Sequence, residues 1–157
     1  MAIRSSLTGH LIFSTIHTNS AGGSIARLAD MGVHPYLVAN TLIMCVAQRL
    51  VRLLCPHCKK KAKVTPDIIV AVPDIGVKSH YTAIGCEKCY YTGYSGRRAV
   101  YEVIQIDDEL ALAARNNEPV IELMLKERGI ISLREAGIAM LAKGETSFEE
   151  LIPMLKT

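Results

Sequence analysis

The sequence has no tryptophan and only two phenylalanines among its 157 residues, and aromatic residues make up 5% of the chain. Proteins that bind single-stranded nucleic acids usually stack the bases on exposed aromatic rings. Four tyrosines of the central region remain candidates for that role: Tyr81, Tyr90, Tyr91 and Tyr94. The scarcity of aromatic residues therefore argues against nucleic-acid binding, and we expect no nucleic-acid partner.

Long apolar runs and a leader sequence are also missing. The longest uncharged stretch lies between Asp30 and Arg49 and is interrupted by histidine, proline, asparagine and threonine, which suits a buried helix better than a membrane span. No basic, apolar and small-residue series follows Met1, so we expect no secretory signal and a reducing, cytoplasmic compartment. In such a compartment the five cysteines favour metal binding over disulfides.

The chain lacks the glycine-rich loop G-x-x-x-x-G-K-[ST], which holds nucleotide phosphates in many enzymes. It also lacks an acidic run after a strand that could hold Mg²⁺. The sequence therefore contains no phosphate cradle, and we expect these 157 residues alone to be inactive in nucleotide hydrolysis.

Half of the residues are hydrophobic and 21% are charged, so the chain can bury enough apolar surface to fold. The net charge of +3 is unevenly distributed: residues 1–51 carry +2, residues 52–98 carry +6 and residues 101–157 carry −5. Because most of the basic charge lies in one segment, and the acidic tail would repel phosphate, the charge indicates domain organisation rather than a nucleic-acid surface.

Residues 1–54 have the pattern of an α/β domain. The apolar run from Leu11 to Ile16 predicts a strand that is buried on both faces of a sheet. A helix that ends at Gly32 follows, then a second helix from Pro35 through Met44, and residues 46–54 form a further strand or helix end. So short a chain cannot cover both faces of the first strand, so we expect further β/α units upstream, in a larger domain.

The remaining sequence divides into two further segments. Residues 55–96 carry cysteine pairs at both ends and many prolines and glycines, which predicts a loop-rich insert. In residues 97–157 we expect a strand at residues 99–104 and then three or four short amphipathic helices. Helix signals in this tail are two capping-box patterns and two glycines at helix ends: Ser132 with Glu135, Thr146 with Glu149, Gly129 and Gly144.

Two C-x2-C pairs, Cys55-Pro-His-Cys58 and Cys86-Glu-Lys-Cys89, are the strongest chemical signal in the sequence. Each pair places two thiolates on one tight turn, and two such turns facing each other complete a tetrahedral four-sulfur site that suits Zn²⁺. Such a structural site has no open position for water, so it would fold the insert and would not catalyse. Two disulfides or four free thiols are the alternative.

Other residues near the cysteines have different expected roles. His57 is not expected to be a ligand, because four sulfurs already fill the site. Cys45 lies in an apolar run and is expected to be a buried small hydrophobic residue. Four lysines would partly balance the negative charge of a zinc tetrathiolate, or are simply solvated: Lys59, Lys60, Lys61 and Lys88.

A second, weaker signal surrounds the first predicted strand, where Thr8-Gly9-His10 precedes it and His17-Thr18-Asn19 follows it. Ligands of open α/β sheets bind beyond the carboxyl ends of the strands, where His17 stands. A histidine at that place can donate a hydrogen bond to a phosphate oxygen, or it can simply close a turn. Asn19 or Ser20 is expected to cap the next helix.

Residues 7–19, Leu-Thr-Gly-His-Leu-Ile-Phe-Ser-Thr-Ile-His-Thr-Asn, resemble the histidine box of the secretion ATPases that power type II secretion and type IV pilus assembly. The similarity continues in the family's order through residues 27–33, residues 47–52, both cysteine pairs, and the motifs of residues 92–97 and 99–102. A tetracysteine module at this position is typical of the secretion and pilus-extension members and is absent from the retraction motors.

The resemblance implies a partial RecA-like (P-loop NTPase) core with a zinc-binding insert and a C-terminal helical segment. It also implies that His17 faces the γ-phosphate of ATP, that His10 starts the same box, and that Gln48 and Arg49 lie near the nucleotide. An arginine in a strand is more often an ion-pair residue at a surface or interface. ATP and Mg²⁺ would bind only to a complete protein, because the family's phosphate loop and magnesium carboxylates lie upstream of the point that matches Met1.

For the complete protein, the resemblance implies a hexameric cytoplasmic motor that is peripheral to the inner membrane. Its partners would be the neighbouring subunits of a homohexamer and the inner-membrane platform proteins of secretion or pilus assembly. The alternative is a free-standing zinc-binding interaction module for protein or nucleic acid. The basic insert favours that alternative, and its second cysteine pair with Gly93 and Gly96 distantly resembles the cysteine–glycine repeats of chaperone zinc domains.

Overall fold

A computed structural model describes residues 2–73, 76, 78–116 and 121–155. These residues form a mixture of α-helices and β-strands. The helices are α1 (Ala2–Leu7), α2 (Gly23–Asp30), α3 (Pro35–Thr41), α4 (Pro66–Ala71), α5 (Asp108–Arg115), α6 (Ile121–Glu127), α7 (Leu133–Ala142) and α8 (Phe148–Leu155). The strands are β1 (Met44–Leu54), β2 (Lys60–Lys63), β3 (Ser79–Thr82) and β4 (Tyr94–Gln105). Among the described residues, no helix has the length and apolar character needed to cross a membrane.

The chain packs into two compact units that alternate along the sequence. We call Met1–Ala47 with Glu102–Ile131 the histidine unit, and Gln48–Tyr101 with Ser132–Thr157 the cysteine unit. The chain passes from one unit to the other within β1 and again within β4, and these two strands pair in a two-stranded sheet. The three consecutive domains expected from the sequence (1–54, 55–96 and 97–157) stay a prediction.

In the histidine unit, helix α3 contacts α1, α2 and α5, and α5 contacts α6. Pro35 occupies the first turn of α3, where its missing N–H leaves no unpaired donor, and the His34 side chain accepts the Tyr36 N–H. The core of this unit contains Val38, Ile104 and Leu110, each nearly or fully buried. The predicted helix from Pro35 is therefore confirmed, but it ends at Thr41 and Met44 already belongs to β1.

The predicted strand from Leu11 to Ile16 is wrong for this structure, since the segment is irregular and most of it is exposed. Leu11 is 70% exposed and Phe13 is 89% exposed. A buried strand needs a neighbour on each side to pair its backbone groups. In the described part of the chain β1 pairs with β4 and β2 with β3, so no strand lies beside this segment.

In the cysteine unit, β2 and β3 form an antiparallel pair with Lys60 opposite Thr82 and Lys63 opposite Ser79. Helices α7 and α8 contact each other, and both contact β3. The capping box at the start of α7 is confirmed, because the Ser132 hydroxyl accepts the Glu135 N–H while the Glu135 carboxylate accepts the Ser132 N–H.

The second predicted capping box is wrong. Helix α8 starts at Phe148, so Ser147 and not Thr146 stands directly before it, and the Thr146 hydroxyl donates to the Arg52 carbonyl 2.9 Å away. Ser147 supports the start of α8 instead, since its hydroxyl accepts the Glu150 N–H at 3.4 Å. The described part of the tail forms four helices, α5 to α8, and Gly129 and Gly144 each lie two residues after a helix end, as expected of helix C-caps.

Candidate metal centre and histidine segment

The four paired cysteines meet in one cluster, with all of their sulfur atoms within 4.8 Å of one another. The Sγ–Sγ distances are 4.0 Å for Cys55 and Cys86, 3.8 Å for Cys58 and Cys89, and 3.7 Å for Cys86 and Cys89. A regular tetrahedron with metal–sulfur bonds of about 2.3 Å has sulfur–sulfur edges of about 3.8 Å. The cluster could therefore hold a metal ion, as the two C-x2-C pairs predict.

Backbone hydrogen bonds build the two turns that carry these sulfurs. The Lys59 N–H donates to the Cys55 carbonyl at 3.0 Å, and the Cys89 N–H donates to the Cys86 carbonyl at 3.1 Å. The Cys55 N–H donates to the Gly93 carbonyl at 2.9 Å, which ties the first turn to the residues after the second. The geometry is thus fixed by main-chain contacts within the insert.

Several N–H groups also point at the sulfur atoms. Gly85 donates to Cys58 at 3.3 Å, and Cys86 and Gly93 donate to Cys89 at 3.2 Å and 3.3 Å. Hydrogen bonds to a sulfur atom favour its thiolate form and orient it as a ligand. These donors were not predicted from the sequence, although a glycine directly before or shortly after the second cysteine pair is the signal for such turns.

The environment shifts the pKa values of the cysteines in opposite directions. Burial opposes the ionisation of Cys89, but the N–H groups of Cys86 and Gly93 outweigh it and lower its pKa to about 6. Burial raises the pKa of Cys58 to about 11, and the hydrogen bond from Gly85 only partly opposes this. All five cysteines are free of disulfide bonds. Because neighbouring thiolates repel each other, a cation is needed to ionise all four together.

Gly93 shows why the local sequence is suited to this turn. Its φ of +78° lies in the left-handed region, and a Cβ added there would lie 2.6 Å from the Cβ of Ala83. Only glycine fits both the backbone conformation and the space. The adjacent Thr92 hydroxyl donates to the Cys89 carbonyl at 2.7 Å and stabilises the same turn.

The lysines, His57 and Cys45, for which the sequence predicts other roles, differ in their contacts and exposure. Lys59 donates to the Gly144 carbonyl at 2.7 Å and lies 4.7 Å from the centre of the Tyr81 ring, so it joins parts of the cysteine unit. His57 is exposed and is not part of the cysteine cluster, as expected. Cys45 is 5% exposed, and burial raises its pKa to about 11, which confirms a buried hydrophobic role. The other three lysines of the expected charge balance are exposed: Lys60, Lys61 and Lys88.

The histidine segment, residues 7–20, precedes α2 in the histidine unit. His10 and His17 are both exposed, and the Nδ1 atom of His10 lies 3.1 Å from the Thr8 hydroxyl. The Thr18 hydroxyl donates to the Ser20 carbonyl at 3.0 Å and lies 3.2 Å from the hydroxyl of Ser24 in α2. These contacts tie the turn after His17 to the start of α2.

Ser20, and not Asn19, supports the start of α2. Its hydroxyl accepts the Gly23 N–H at 3.1 Å, whereas Gly22 stands at the N-cap position and has no side chain with which to cap. The two other residues expected near the nucleotide, Gln48 and Arg49, lie in β1 and in the cysteine unit. Gln48 is exposed, and the Arg49 guanidinium donates to the Gln48 carbonyl at 3.0 Å.

Glu102 was not assigned a role by the sequence reasoning, although it is a buried carboxylate with only 6% exposure. Its Oε1 atom accepts the N–H groups of Ala21 and Gly22 at 2.9 Å and 3.4 Å. The signal in the sequence is positional: Glu102 alternates with Val100 and Ile104 on the buried side of β4, where an acidic residue needs donors.

The profile of the family described as "Type II/IV secretion system protein" matches residues 1–153. The chain is 40% identical to type II secretion system protein E of Aeromonas hydrophila. The match covers 97% of this chain and 31% of that protein. It is 41% identical to type IV pilus assembly ATPase TfpB of Acinetobacter baylyi over 97% of the chain and 27% of that protein.

A more distant relative is type IV pilus assembly ATPase PilB of Thermus thermophilus, which is 37% identical over 97% of the chain and 18% of its own length. The chain thus spans less than a third of the length of these three relatives.

Proposed function

The chain belongs to the type II/IV secretion system protein family, and we propose that it is the C-terminal part of a motor ATPase that drives type II protein secretion or type IV pilus assembly. The observation that carries this proposal is the match of nearly the whole chain to that family, with relatives that are named as secretion proteins and pilus assembly ATPases. The activity belongs to a longer protein, since the chain covers less than a third of these relatives.

A RecA-like core is the proposed setting of the histidine unit, and the exposed histidine segment supports it. Leu11 and Phe13 are large apolar side chains that are largely exposed. Within a core that supplies a strand on each side, the segment from Leu11 to Ile16 would be buried as its sequence predicts. The complete protein is proposed to act as a homohexamer, whose neighbouring subunits are partners of this chain.

Zn²⁺ is the metal that we propose for the cluster of Cys55, Cys58, Cys86 and Cys89. Four sulfur donors at near-tetrahedral separations, with N–H groups aimed at them, suit this ion in a structural site. Zinc bound there would supply folding free energy to the insert. The four thiolates would complete its coordination, so no position is left for a reacting water molecule.

His17 is proposed to sense the γ-phosphate of ATP in the complete protein. Its ring is exposed, and the turn that follows it is joined to α2 through Thr18 and Ser24. An imidazole N–H at this place can donate a hydrogen bond to the γ-phosphate, which ADP lacks. His10, at the start of the same box, and Gln48 with Arg49 are proposed as further residues near the nucleotide.

The exposed cations of the insert support a docking role for the cysteine unit. Lys60, Lys61 and Lys88 are exposed, and residues 52–98 carry a net charge of +6. This charge suits an acidic cytoplasmic domain of an inner-membrane platform protein. We place the complete protein in the cytoplasm, peripheral to the inner membrane.

The proposal is tested by ATP turnover of a longer protein that contains this chain. His17→Ala should lower kcat about tenfold or more, the scale of one lost hydrogen bond to a charged group, while ADP affinity stays within twofold. His57→Ala is the matched control, since His57 is also exposed but lies outside the proposed nucleotide site. The isolated 157 residues should show no ATPase activity. Full turnover of the His17 variant, or hydrolysis by the isolated chain, would contradict the proposal.

The second candidate is a free-standing zinc-binding interaction module, and two exposed tyrosines favour it. Tyr90 and Tyr91 are 89% and 71% exposed beside Lys88, at the end of the second cysteine pair. Such rings can contact a protein or stack on bases. Competition between ATP and a single-stranded oligonucleotide for the longer protein separates the two candidates, because the motor should prefer ATP.

A further inference from the structure

Helix α2 begins without a negative charge of its own, although the Ser20 hydroxyl accepts the Gly23 N–H. Its N-cap residue is Gly22, and its first turn contains no acidic residue. The N-terminus of a helix presents unpaired N–H groups and a partial positive charge, which a carboxylate stabilises. The local sequence provides the Ser20 hydroxyl as an acceptor but no carboxylate.

Glu102 supplies a carboxylate from β4, about eighty residues later. One oxygen atom of its carboxylate accepts both N–H groups, from Ala21 at 2.9 Å and from Gly22 at 3.4 Å. Ala21 is fully buried and Glu102 nearly so, so these hydrogen bonds are shielded from water. A buried carboxylate is tolerated only with such partners, so the contact is specific.

Close packing around Gly22 restricts the backbone of the turn before α2. A Cβ added to Gly22 would lie 3.1 Å from Leu125 and 3.8 Å from Ile104, so the backbone of this turn lies close against apolar side chains of the same unit. The turn is thus held by its own close packing and by Glu102. Thr18 and Ser24 then fix the residues between His17 and α2.

We propose that Glu102 is a positioning residue that holds the turn between His17 and α2 in the geometry needed for phosphate sensing. This inference rests on the proposed role of His17. Glu102 does not touch the nucleotide; it acts through the N–H groups of Ala21 and Gly22. Loss of its carboxylate should let this turn move and should uncouple His17 from α2.

The hydrogen bonds from the Ala21 and Gly22 N–H groups to Glu102 are tested first, in the 157-residue chain without nucleotide. Glu102→Leu removes both acceptors, whereas Glu102→Gln keeps one amide oxygen and nearly the same shape. Amide hydrogen exchange at Ala21 and Gly22, followed by NMR, should speed up at least tenfold in the leucine variant and less in the glutamine variant. Glu127→Gln, an exposed glutamate of the same unit, is the matched control and should change neither amide.

The functional consequence is tested in the longer protein by ATP turnover. Glu102→Gln should lower kcat about threefold to tenfold with KM for ATP within twofold, because the nucleotide contacts remain. The double variant His17→Ala, Glu102→Gln should be no slower than His17→Ala alone, since Glu102 acts through His17.

Three results would overturn the proposal: unchanged exchange at Ala21 and Gly22 in both Glu102 variants, a purely additive double variant, or an effect on KM alone. The exchange measurement separates the two proposals. If His17→Ala left turnover intact while the exchange rates rose as expected, the phosphate-sensor role would fail and the structural contact would stand. In that case the positioning role for catalysis would fail as well. If Glu102→Leu did not fold, the glutamine variant would decide the exchange test.

Discussion

The cysteine cluster is fully assembled within this chain, whereas the histidine segment is not. The four cysteine sulfurs lie within 4.8 Å of one another, and backbone groups of the same insert support them. The histidine segment has no neighbouring strand in the described chain and exposes Phe13 to 89%. A site built from tight turns is therefore complete within about forty residues, whereas a buried strand depends on its neighbours in a sheet.

The difference reflects the range of the interactions involved. Turns, N–H to sulfur bonds and a metal ion act over a few residues, so a local sequence pattern encodes them. Strand pairing joins residues that are distant in sequence, so a chain that contains one strand without its neighbours leaves that strand irregular.

The largest effect is expected from the metal ligands. Cys58→Ser should abolish stoichiometric metal binding and unfold the insert, because a structural zinc site contributes about 10–16 kcal/mol of apparent binding free energy. Cys45→Ala is the matched control and should keep one metal ion per chain, since Cys45 is buried away from the cluster. Elemental analysis and thermal unfolding measure both. Metal retained by the Cys58 variant, or lost from the Cys45 variant, would disprove the ligand assignment.

A smaller effect is expected from two glycines with nearly the same backbone conformation. Gly93 and Gly96 have φ values of +78° and +80°, but a Cβ would clash with Ala83 at Gly93 and would meet only Leu53, 4.0 Å away, at Gly96. Gly93→Ala should destabilise the chain by about 2–4 kcal/mol and Gly96→Ala by about 1 kcal/mol. Denaturant unfolding measures the difference, and equal effects would show that the packing around Gly93 is unimportant.

In the histidine unit, a pH-dependent effect is expected at the start of α5. The Leu110 N–H and the Arg128 guanidinium hold the pKa of Asp107 below its usual range. As the pH falls, the Asp107 carboxylate is therefore protonated in the unfolded chain before it is protonated in the folded chain. Its contribution to the free energy of unfolding is full above the unfolded pKa of about 4 and is lost as the pH falls through the lower pKa of the folded chain. Asp107→Asn should lower the unfolding midpoint by about 2–4 °C at pH 7.

The unfolding midpoints of both proteins are then measured over a range of pH. The difference between Asp107→Asn and the unchanged protein should shrink as the pH falls below about 4. Asp108→Asn is the control, because the neighbouring Asp108 is exposed. A pH-independent difference would mean that the charge of Asp107 contributes nothing and that only its side-chain shape matters.

The smallest effect in the isolated chain is expected at the exposed histidine segment. Phe13→Ser should change the free energy of unfolding of the 157 residues by less than about 0.5 kcal/mol. In a longer protein that supplies neighbouring strands, the same change should destabilise the fold by about 3 kcal/mol or more. Ile25→Ala, at a site with 6% exposure, should cost about 2–4 kcal/mol in both proteins. A large effect of Phe13→Ser in the isolated chain would contradict the exposed conformation.

The features that the sequence predicted correctly depend on short-range patterns. The cysteine pairs, the strand at residues 99–104, the Ser132 cap and the helix ends at Gly129 and Gly144 each follow from residues a few positions apart. Propensity and turn chemistry decide such features locally. The family was also recognised from the sequence, because its motifs occur in order along nearly the whole chain.

The features that it missed depend on distant partners. Thr146 fits a capping box, but α8 begins one residue later than that box requires, and the Thr146 hydroxyl donates to the distant Arg52 carbonyl. The segment from Leu11 to Ile16 has the pattern of a buried strand but is irregular, because no strand of the described chain pairs with it. Glu102 accepts the N–H groups of the turn before α2 from about eighty residues away, and only its place on the buried side of β4 could have indicated this.

X-ray absorption at the zinc edge of the freshly purified chain reports the ligands of the bound ion and so checks the four-cysteine site itself. We expect one zinc ion per chain, coordinated by four sulfur atoms at about 2.3 Å. Cys58→Ser should remove this signal, and Cys45→Ala should leave it unchanged. Nitrogen or oxygen ligands in the first coordination shell, or a metal-free chain with disulfide-bonded cysteines, would contradict the account.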